Sequence, residues 1–500
     1  MKKQKLIIIL GIVFLMSIGV FFSISAPACV NCQQKQSILD GWDLIADGID
    51  VPDNPEVAEW VWEKKVGDSQ YDKIRVRRMK LKSLERGREA IFVLSGQSGS
   101  AEVMLHGRDL AGNKFLIMNE ETVFTYKFIY AGYDVYSLDY RSWFVPKTET
   151  DLAFMKEWGM EAFISDLHES VQLIKCVSGF KRVYLHGVHF AGELAMCYTT
   201  QHPDDVKGII LHDGGSGGKL RPGSETNTHD LAYELEQMDI TGNYAYIYDI
   251  AFEPYYSLFY YAYQFPEAPS PVPGFDNVSD YCMFMLYSVG HTAFHAPYGS
   301  DAKNTLGIML TLSPFFPYRL LIEHNHFTDW IDTTQMIDYD ELFDEIDVPL
   351  IAFISNNPLV DCPYRVPYYI HGTKNPDSQG HILDGWGHID MFIGKQSSEF
   401  IDEPLLEWVE DHRMLVGSGI MKTDSDWVFG DSIIFINSTH IDFQIVETEI
   451  RISFEITWTI VIEGFEVYEG DSNVGRIHIF IRKDYAIATG RNIFFYGYRT

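Results

Sequence analysis

Val183-Tyr-Leu-His-Gly-Val-His-Phe-Ala-Gly-Glu-Leu-Ala-Met196 decides how this chain is read. It predicts a buried strand, a sharp turn and a helix, with His189 at the apex of the turn. Turns of this kind usually carry Gly-x-Ser-x-Gly, in which small flanking residues let one strained position lift its side chain above the sheet edge. Gly187 and Ala191 supply the small flanks here, and Gly192 lets the helix pack close to the strand. A positive φ suits His better than a β-branched residue, so the backbone device can survive the loss of serine. The turn has the form of a nucleophile elbow but lacks the serine oxygen.

The neighbouring sequence repeats a strand and helix rhythm. Phe163, Ile164, Leu167, Val171 and Ile174 fall at helical spacing between about Glu161 and Val177, and Val206-Lys-Gly-Ile-Ile-Leu reads as the next buried strand. Upstream, strands at Ala90–Leu94 and Tyr133–Asp139 flank a helical segment at Thr122–Tyr130. Such alternation predicts an α/β fold with a mostly parallel sheet covered on both faces. Before it, a helix is expected around Glu56–Trp62 and a strand at Lys73–Leu81.

Four pieces of the chain, in order, resemble the α/β-hydrolase superfamily in its lipase-like and esterase-like branch. They are Ser95-Gly-Gln-Ser-Gly, Ala131-Gly-Tyr-Asp-Val-Tyr-Ser-Leu-Asp-Tyr-Arg, the turn at His189, and Gly385-Trp-Gly-His-Ile-Asp. The resemblance spans roughly Ala90 to Glu410. It implies that His388 is the general base and that a carboxylate holds its tautomer. The family's usual acid position follows the strand Pro349–Ile354, where Asp361 comes late; Asp213, after the strand ending at His212, occupies an alternative position. Both stay open at this stage. The resemblance also implies oxyanion donors at the Phe190 amide and near Gln97. Ser98 matches a nucleophile motif only superficially, because Glu102-Val-Met-Leu-His-Gly ends at glycines and reads as open loop.

His189 separates two functions. A neutral imidazole can form covalent intermediates, so the chain could hydrolyse an ester or similar acyl bond with His189, His388 and Asp213 as the catalytic set. Alternatively, it is an inactive hydrolase-fold protein that keeps the pocket to bind a hydrophobic small molecule or a partner. His189, His388 and Asp213 would suit zinc chemically. The pairs His291/His295 and His324/His326 lack the Glu of a His-Glu-x-x-His motif, and Gly214-Gly-Ser-Gly-Gly-Lys fails as a phosphate loop because Asp213 and Leu220 stand at its two defining positions. No metal and no cofactor is expected.

At 500 residues and 46% hydrophobic content the chain can bury a large core in more than one domain. Its net charge of -31 argues against nucleic acid, whose phosphates need a basic face. Met1-Lys-Lys-Gln-Lys followed by the apolar run Leu6–Ile24 reads as a membrane anchor or a signal peptide, so residues 1–28 would hold the protein at the membrane facing outside the cytoplasm or direct its secretion. The core is expected at 37–219 and 346–413, and an aromatic, helical cap insertion at 220–345. From 414 to 500, Ile450 to Ile462 alternate with polar residues, and an antiparallel β module is expected. Cys176 and Cys197 are expected as buried thiols.

Overall fold

The computed structural model describes residues 38–412 except 53, 97–98, 110, 116–123, 215–230, 248–254, 289–291, 293–298, 330–345, 357–374 and 376; beyond 412 it describes only strand backbone between 417 and 498. The described residues fall into two compact units. The larger takes 1–85, 90–130 and 134–397; the smaller takes 86–89, 131–133 and 398–500.

A nine-stranded sheet organises the larger unit. Its strands are β1 (Trp42–Val51), β2 (Asn54–Lys65), β3 (Lys73–Leu81), β4 (Ala90–Leu94), β5 (Asp134–Asp139), β6 (Val183–Val188), β7 (Val206–His212), β10 (Leu350–Asn356) and β11 (Gln379–Asp384); a short ribbon, β8 (Ala245–Ile247) with β9 (Phe315–Pro317), lies outside it. The order is β1-β2-β3-β5-β4-β6-β7-β10-β11. β1, β2, β3 and β5 pair antiparallel in turn, whereas β5, β4, β6, β7, β10 and β11 run parallel. Every residue of β4, β5 and β6 is buried. That follows from a parallel sheet covered on both faces, and it explains why these strands read as unbroken apolar runs.

The helix Met160–Ser178 covers one face with Phe163, Leu167, Val171 and Ile174, and it ends at Gly179 in the left-handed conformation. Its ridge packs with Phe92, Leu185, Leu194 and Leu211 in one apolar core. Cys176 and Cys197 are buried free thiols, as expected.

Two local expectations are corrected. Glu56–Trp62 lies within β2, with Val57 opposite Leu81 and Trp62 opposite Val76. Pairing with β3 buries Val57, Val61 and Trp62 on a pleated surface that favours β-branched and aromatic residues, and this outweighs helical spacing. The stretch after Ser98 is a helix, Ala101–His106. The Ser100 hydroxyl accepts from the Val103 amide at 3.1 Å, and Gly107 at φ 61° closes the end, so the glycine taken as a loop signal is a C-cap.

Between β7 and β10 the chain builds helices at Leu231–Thr241, Tyr255–Gln264, Val278–Ser288, Ala302–Thr311 and Tyr318–Asp329. Phe259, Val278, Cys282, Leu286, Leu306 and Leu310 form a separate apolar cluster that also takes in Ile389. Of the aromatic run, Phe259 serves this cluster, whereas Tyr260 and Tyr261 are exposed.

In the smaller unit, the helix Glu403–Asp411 buries Leu405, Trp408 and Val409, and Glu410 accepts from Arg88 (2.8 Å) and the Tyr133 hydroxyl (2.7 Å). The strands beyond it form antiparallel groups: β12 (Gly417–Met421) with β15 (Ile441–Val446) and β16 (Glu449–Phe454); β13 (Trp427–Phe429) with β14 (Ser432–Ile434); and β17 (Ile460–Glu469), β18 (Ser472–Ile481), β19 (Tyr485–Gly490) and β20 (Ile493–Tyr498). Glu469 opposite Ser472 makes β17 and β18 a hairpin. Among the described residues no helix is long and apolar enough to cross a membrane, and the run Leu6–Ile24 lies outside them.

Candidate active site

β6 ends at Val188 and the helix Phe190–Gln201 begins two residues later, so His189 alone makes the reversal. Its φ of 53° and ψ of -129° are strained for any residue with a Cβ. Among the described residues, the non-glycine positions at positive φ are His189 and Asp213, and both belong to this site. The elbow is locked from several sides. The His189 amide donates to the His212 carbonyl and the His189 carbonyl accepts from the Gly192 amide, each at 2.9 Å. A Cβ on Gly187 would lie 2.4 Å from the Gly192 Cα, and one on Gly214 would lie 2.0 Å from the His189 carbonyl oxygen. Both positions admit only glycine, which is why small residues surround the apex.

Asp213 follows β7, and its amide donates to the Phe353 carbonyl at 2.8 Å. Its carboxylate is fixed before it meets the histidine. The Ser355 amide donates to Oδ1 at 2.9 Å, and the Ser355 hydroxyl donates to Oδ2 at 2.6 Å. His388 Nδ1 then meets Asp213 Oδ2 at 2.7 Å. This engages the ring through Nδ1, the side from which a carboxylate sets a catalytic histidine's tautomer. The His388 ring lies 5.0 Å from the His189 ring, centroid to centroid, at 72°. Asp390 supports the loop that carries His388: fully buried, it accepts from the Gly387 amide at 3.1 Å and the Ser300 amide at 2.7 Å.

The structure therefore brings together His189, His388 and Asp213. Phe190 is the first residue of the helix beyond the apex, the position from which an amide can face an oxyanion. Gln97, Ser98 and Asp361 lie outside the described residues.

Sequence reasoning missed a second acid and histidine pair. Glu193, fully buried in the first turn after the elbow, holds His324 Nδ1 at 2.8 Å. The His324 ring stands 6.4 Å from that of His189 and 5.7 Å from that of Phe190. His324 had been noted only for its proximity in sequence to His326. The signal that existed was Glu193, a charged residue at a position that faces inward.

Behind the site, His186 on β6 and His212 on β7 are fully buried, 4.5 Å apart, against Phe124 and near Phe392. Burial pushes both down, His212 to about 3 and His186 well below its usual value, so they serve as neutral aromatic floor. Elsewhere in the unit, His168, His202 and Asp205 bring possible ligand atoms within 4.8 Å of one another. Asp205 is already engaged there by Lys175, by Gln172 at 2.7 Å and by the Tyr198 hydroxyl at 3.0 Å, and the Lys175 ammonium disfavours a cation.

No protein-family model and no curated protein matches the chain. Among solved structures it is similar to a candidate lipase from Sulfolobus solfataricus, at 28% identity and a TM-score of 0.62 over 74% of this chain and 99% of that one. A monoacylglycerol lipase from Paleococcus ferrophilus aligns at 11% identity and a TM-score of 0.39, over 65% of this chain and 96% of that one. With its strand order, its strained apex between β6 and a helix, and its likeness to that lipase structure, the chain has the α/β-hydrolase fold, with His189 at the apex of its elbow.

Proposed function

We propose that the protein hydrolyses a carboxylic ester or similar acyl bond at His189, with His388 as base and Asp213 as its positioning residue. The observation that carries this reading is the 2.7 Å contact between His388 and Asp213 beside a strained elbow. Positive φ at a residue with a Cβ costs on the order of 1–3 kcal/mol, and such strain clusters at functional sites. The attacking atom is a ring nitrogen of His189. As that nitrogen bonds to the acyl carbon, His388 takes its proton and passes it to the alcohol, which leaves; water, giving a proton to His388, then attacks the acyl-imidazole, the acid departs and the proton returns to His189. The apolar cap helices over this stretch of sequence support a hydrophobic acyl or alcohol group.

The second reading, a hydrolase-fold protein that binds a hydrophobic small molecule without turnover, is favoured by one observation, the missing serine oxygen. Hydrolysis of p-nitrophenyl esters by the wild type, His189→Ala and His388→Ala separates the two. Wild-type turnover lost in both variants supports the hydrolase; absence of wild-type turnover leaves the binding protein. The basic start and apolar run at residues 1–24 support a location at the membrane or outside the cytoplasm.

A further inference from the structure

Glu193 is a fully buried carboxylate one turn past the apex of the elbow, and it meets His324 Nδ1 at 2.8 Å. Taking such a pair out of water is costly, and apolar residues of like size serve stability as well or better. Stability alone therefore gives no account of it. The first turn of a helix is where a buried carboxylate is best tolerated, because the positive end of the helix dipole lies there. His324 comes from the insertion, on the helix Tyr318–Asp329, and its neighbour in sequence fastens that helix to the core. Glu323 accepts from the Met160 amide and, at 3.0 Å, from Arg319 Nε, while Arg319 Nη1 donates to Glu157 at 2.7 Å. The His324 ring is thus held by its helix at one end and by Glu193 at the other. It packs against the two residues that form the elbow. Its ring lies 5.7 Å from that of Phe190, edge-on at 88°, and 6.4 Å from that of His189 at 45°.

We propose that Glu193 and His324 are a positioning pair for the elbow. Glu193 fixes the His324 ring, and that ring holds the His189 imidazole and the start of the helix Phe190–Gln201 in the orientation from which His189 meets an acyl carbon. The inference rests on the acyl-transfer reading above, and it gives the insertion a part in the site besides covering it. Asp213 holds His388 by the same contact, a carboxylate on Nδ1, at 2.7 Å. Both imidazoles that His189 meets among the described residues are therefore oriented by a carboxylate of their own. Neither Glu193 nor His324 has to touch the substrate. Orientation carries weight in such a reaction, since a displacement of about 1 Å at the reacting group can cost about 10²-fold in rate.

The test reads His189 directly. The full chain is treated with diethyl pyrocarbonate, which transfers one ethoxycarbonyl group to an imidazole nitrogen and releases ethanol and carbon dioxide. Peptide mass spectrometry gives the rate at His189 relative to that at His168, a half-exposed histidine on another helix of the same sample. The relative rate should fall about 10-fold or more in His324→Leu and in the double variant Glu193→Leu/His324→Leu. The urea midpoint of the double variant should stay or rise, because apolar replacement of a whole buried pair is neutral or stabilising. His324→Gln, whose amide can still donate to Glu193, should keep part of the rate. Glu193→Gln, of nearly unchanged size, should lose it and gives the reading if the double variant fails to fold. An undiminished relative rate in Glu193→Gln and the double variant, or equal rates in His324→Gln and His324→Leu, overturns the pair. So does a folded wild type that carries no adduct at His189. Turnover of p-nitrophenyl esters is measured on the same samples. Labelling that depends on the pair, in a wild type without turnover, keeps the positioning pair and sinks the hydrolase; turnover with labelling indifferent to the pair does the reverse.

Discussion

His388 Nδ1 lies 2.7 Å from Asp213 Oδ2, and that same oxygen accepts the Ser355 hydroxyl at 2.6 Å. The carboxylate is thus oriented by β10 and the imidazole by the carboxylate. Asp213→Asn can present an N–H to Nδ1 and so favour the wrong tautomer, and ester turnover should fall by about 10³- to 10⁴-fold. Asp213→Glu should restore part of it, and the pH profile of kcat/KM should move between the variants. A merely structural Asp213 would lower stability without moving that profile.

His189→Ser tests whether the apparatus of a serine hydrolase persists around the substituted apex. The φ of 53°, the Asp213 and His388 pair and the helix start are set by backbone and by groups other than the His189 ring. The variant should therefore react stoichiometrically with a fluorophosphonate at residue 189, whereas the wild type should not. Intact-mass measurement reads the adduct. An unlabelled, folded variant would mean that His388 does not reach the apex.

The mostly parallel sheet and the elbow were legible in the sequence because both rest on local signals. Unbroken apolar runs mark covered parallel strands, and the glycines at 187 and 192 mark a close approach of helix to strand. Asp213 was left open against Asp361, since neither chain position nor spacing reveals that Ser355 would reach across from β10. His324 and Asp390 were invisible for the same reason: their partners, Glu193, Ser300 and Gly387, become neighbours only when the chain closes. The misread at Glu56–Trp62 shows the converse, where pairing with β3 outweighs a helical spacing.

Acid should loosen the larger unit through Glu59. Burial alone would raise this carboxyl, but the hydrogen bond and charge of His106 together with Arg77 outweigh it and hold it at about 2, against 4.5 when unpaired. A lowered folded value stabilises the protein above the unfolded value and loses that contribution as pH falls through the folded one. The contribution is on the order of 3 kcal/mol, lost between roughly pH 4.5 and 2. Urea unfolding of Glu59→Gln should show lower stability at neutral pH and a flatter pH dependence in that window. An unchanged slope would mean that other carboxylates govern the acid limb.

The elbow's glycines should prove costlier to replace than their size suggests. A Cβ at Gly187 would sit 2.4 Å from the Gly192 Cα and 2.5 Å from the Ala191 carbonyl oxygen, both backbone atoms that no rotamer can move. To make room, the helix Phe190–Gln201 would have to back away from β6, and His189 would swing with its first turn. Gly187→Ala should therefore cost about 3 kcal/mol or more, and it should weaken any chemistry at His189 even where the protein still folds. Gly242 provides the contrast. It has a φ of 67° and nothing within 4 Å of a built Cβ, so Gly242→Ala meets backbone strain alone, about 1–2 kcal/mol. Denaturant midpoints of the two variants, with unchanged slopes, give the comparison. Equal losses would mean that the close approach of helix to strand at the elbow is not what Gly187 supplies.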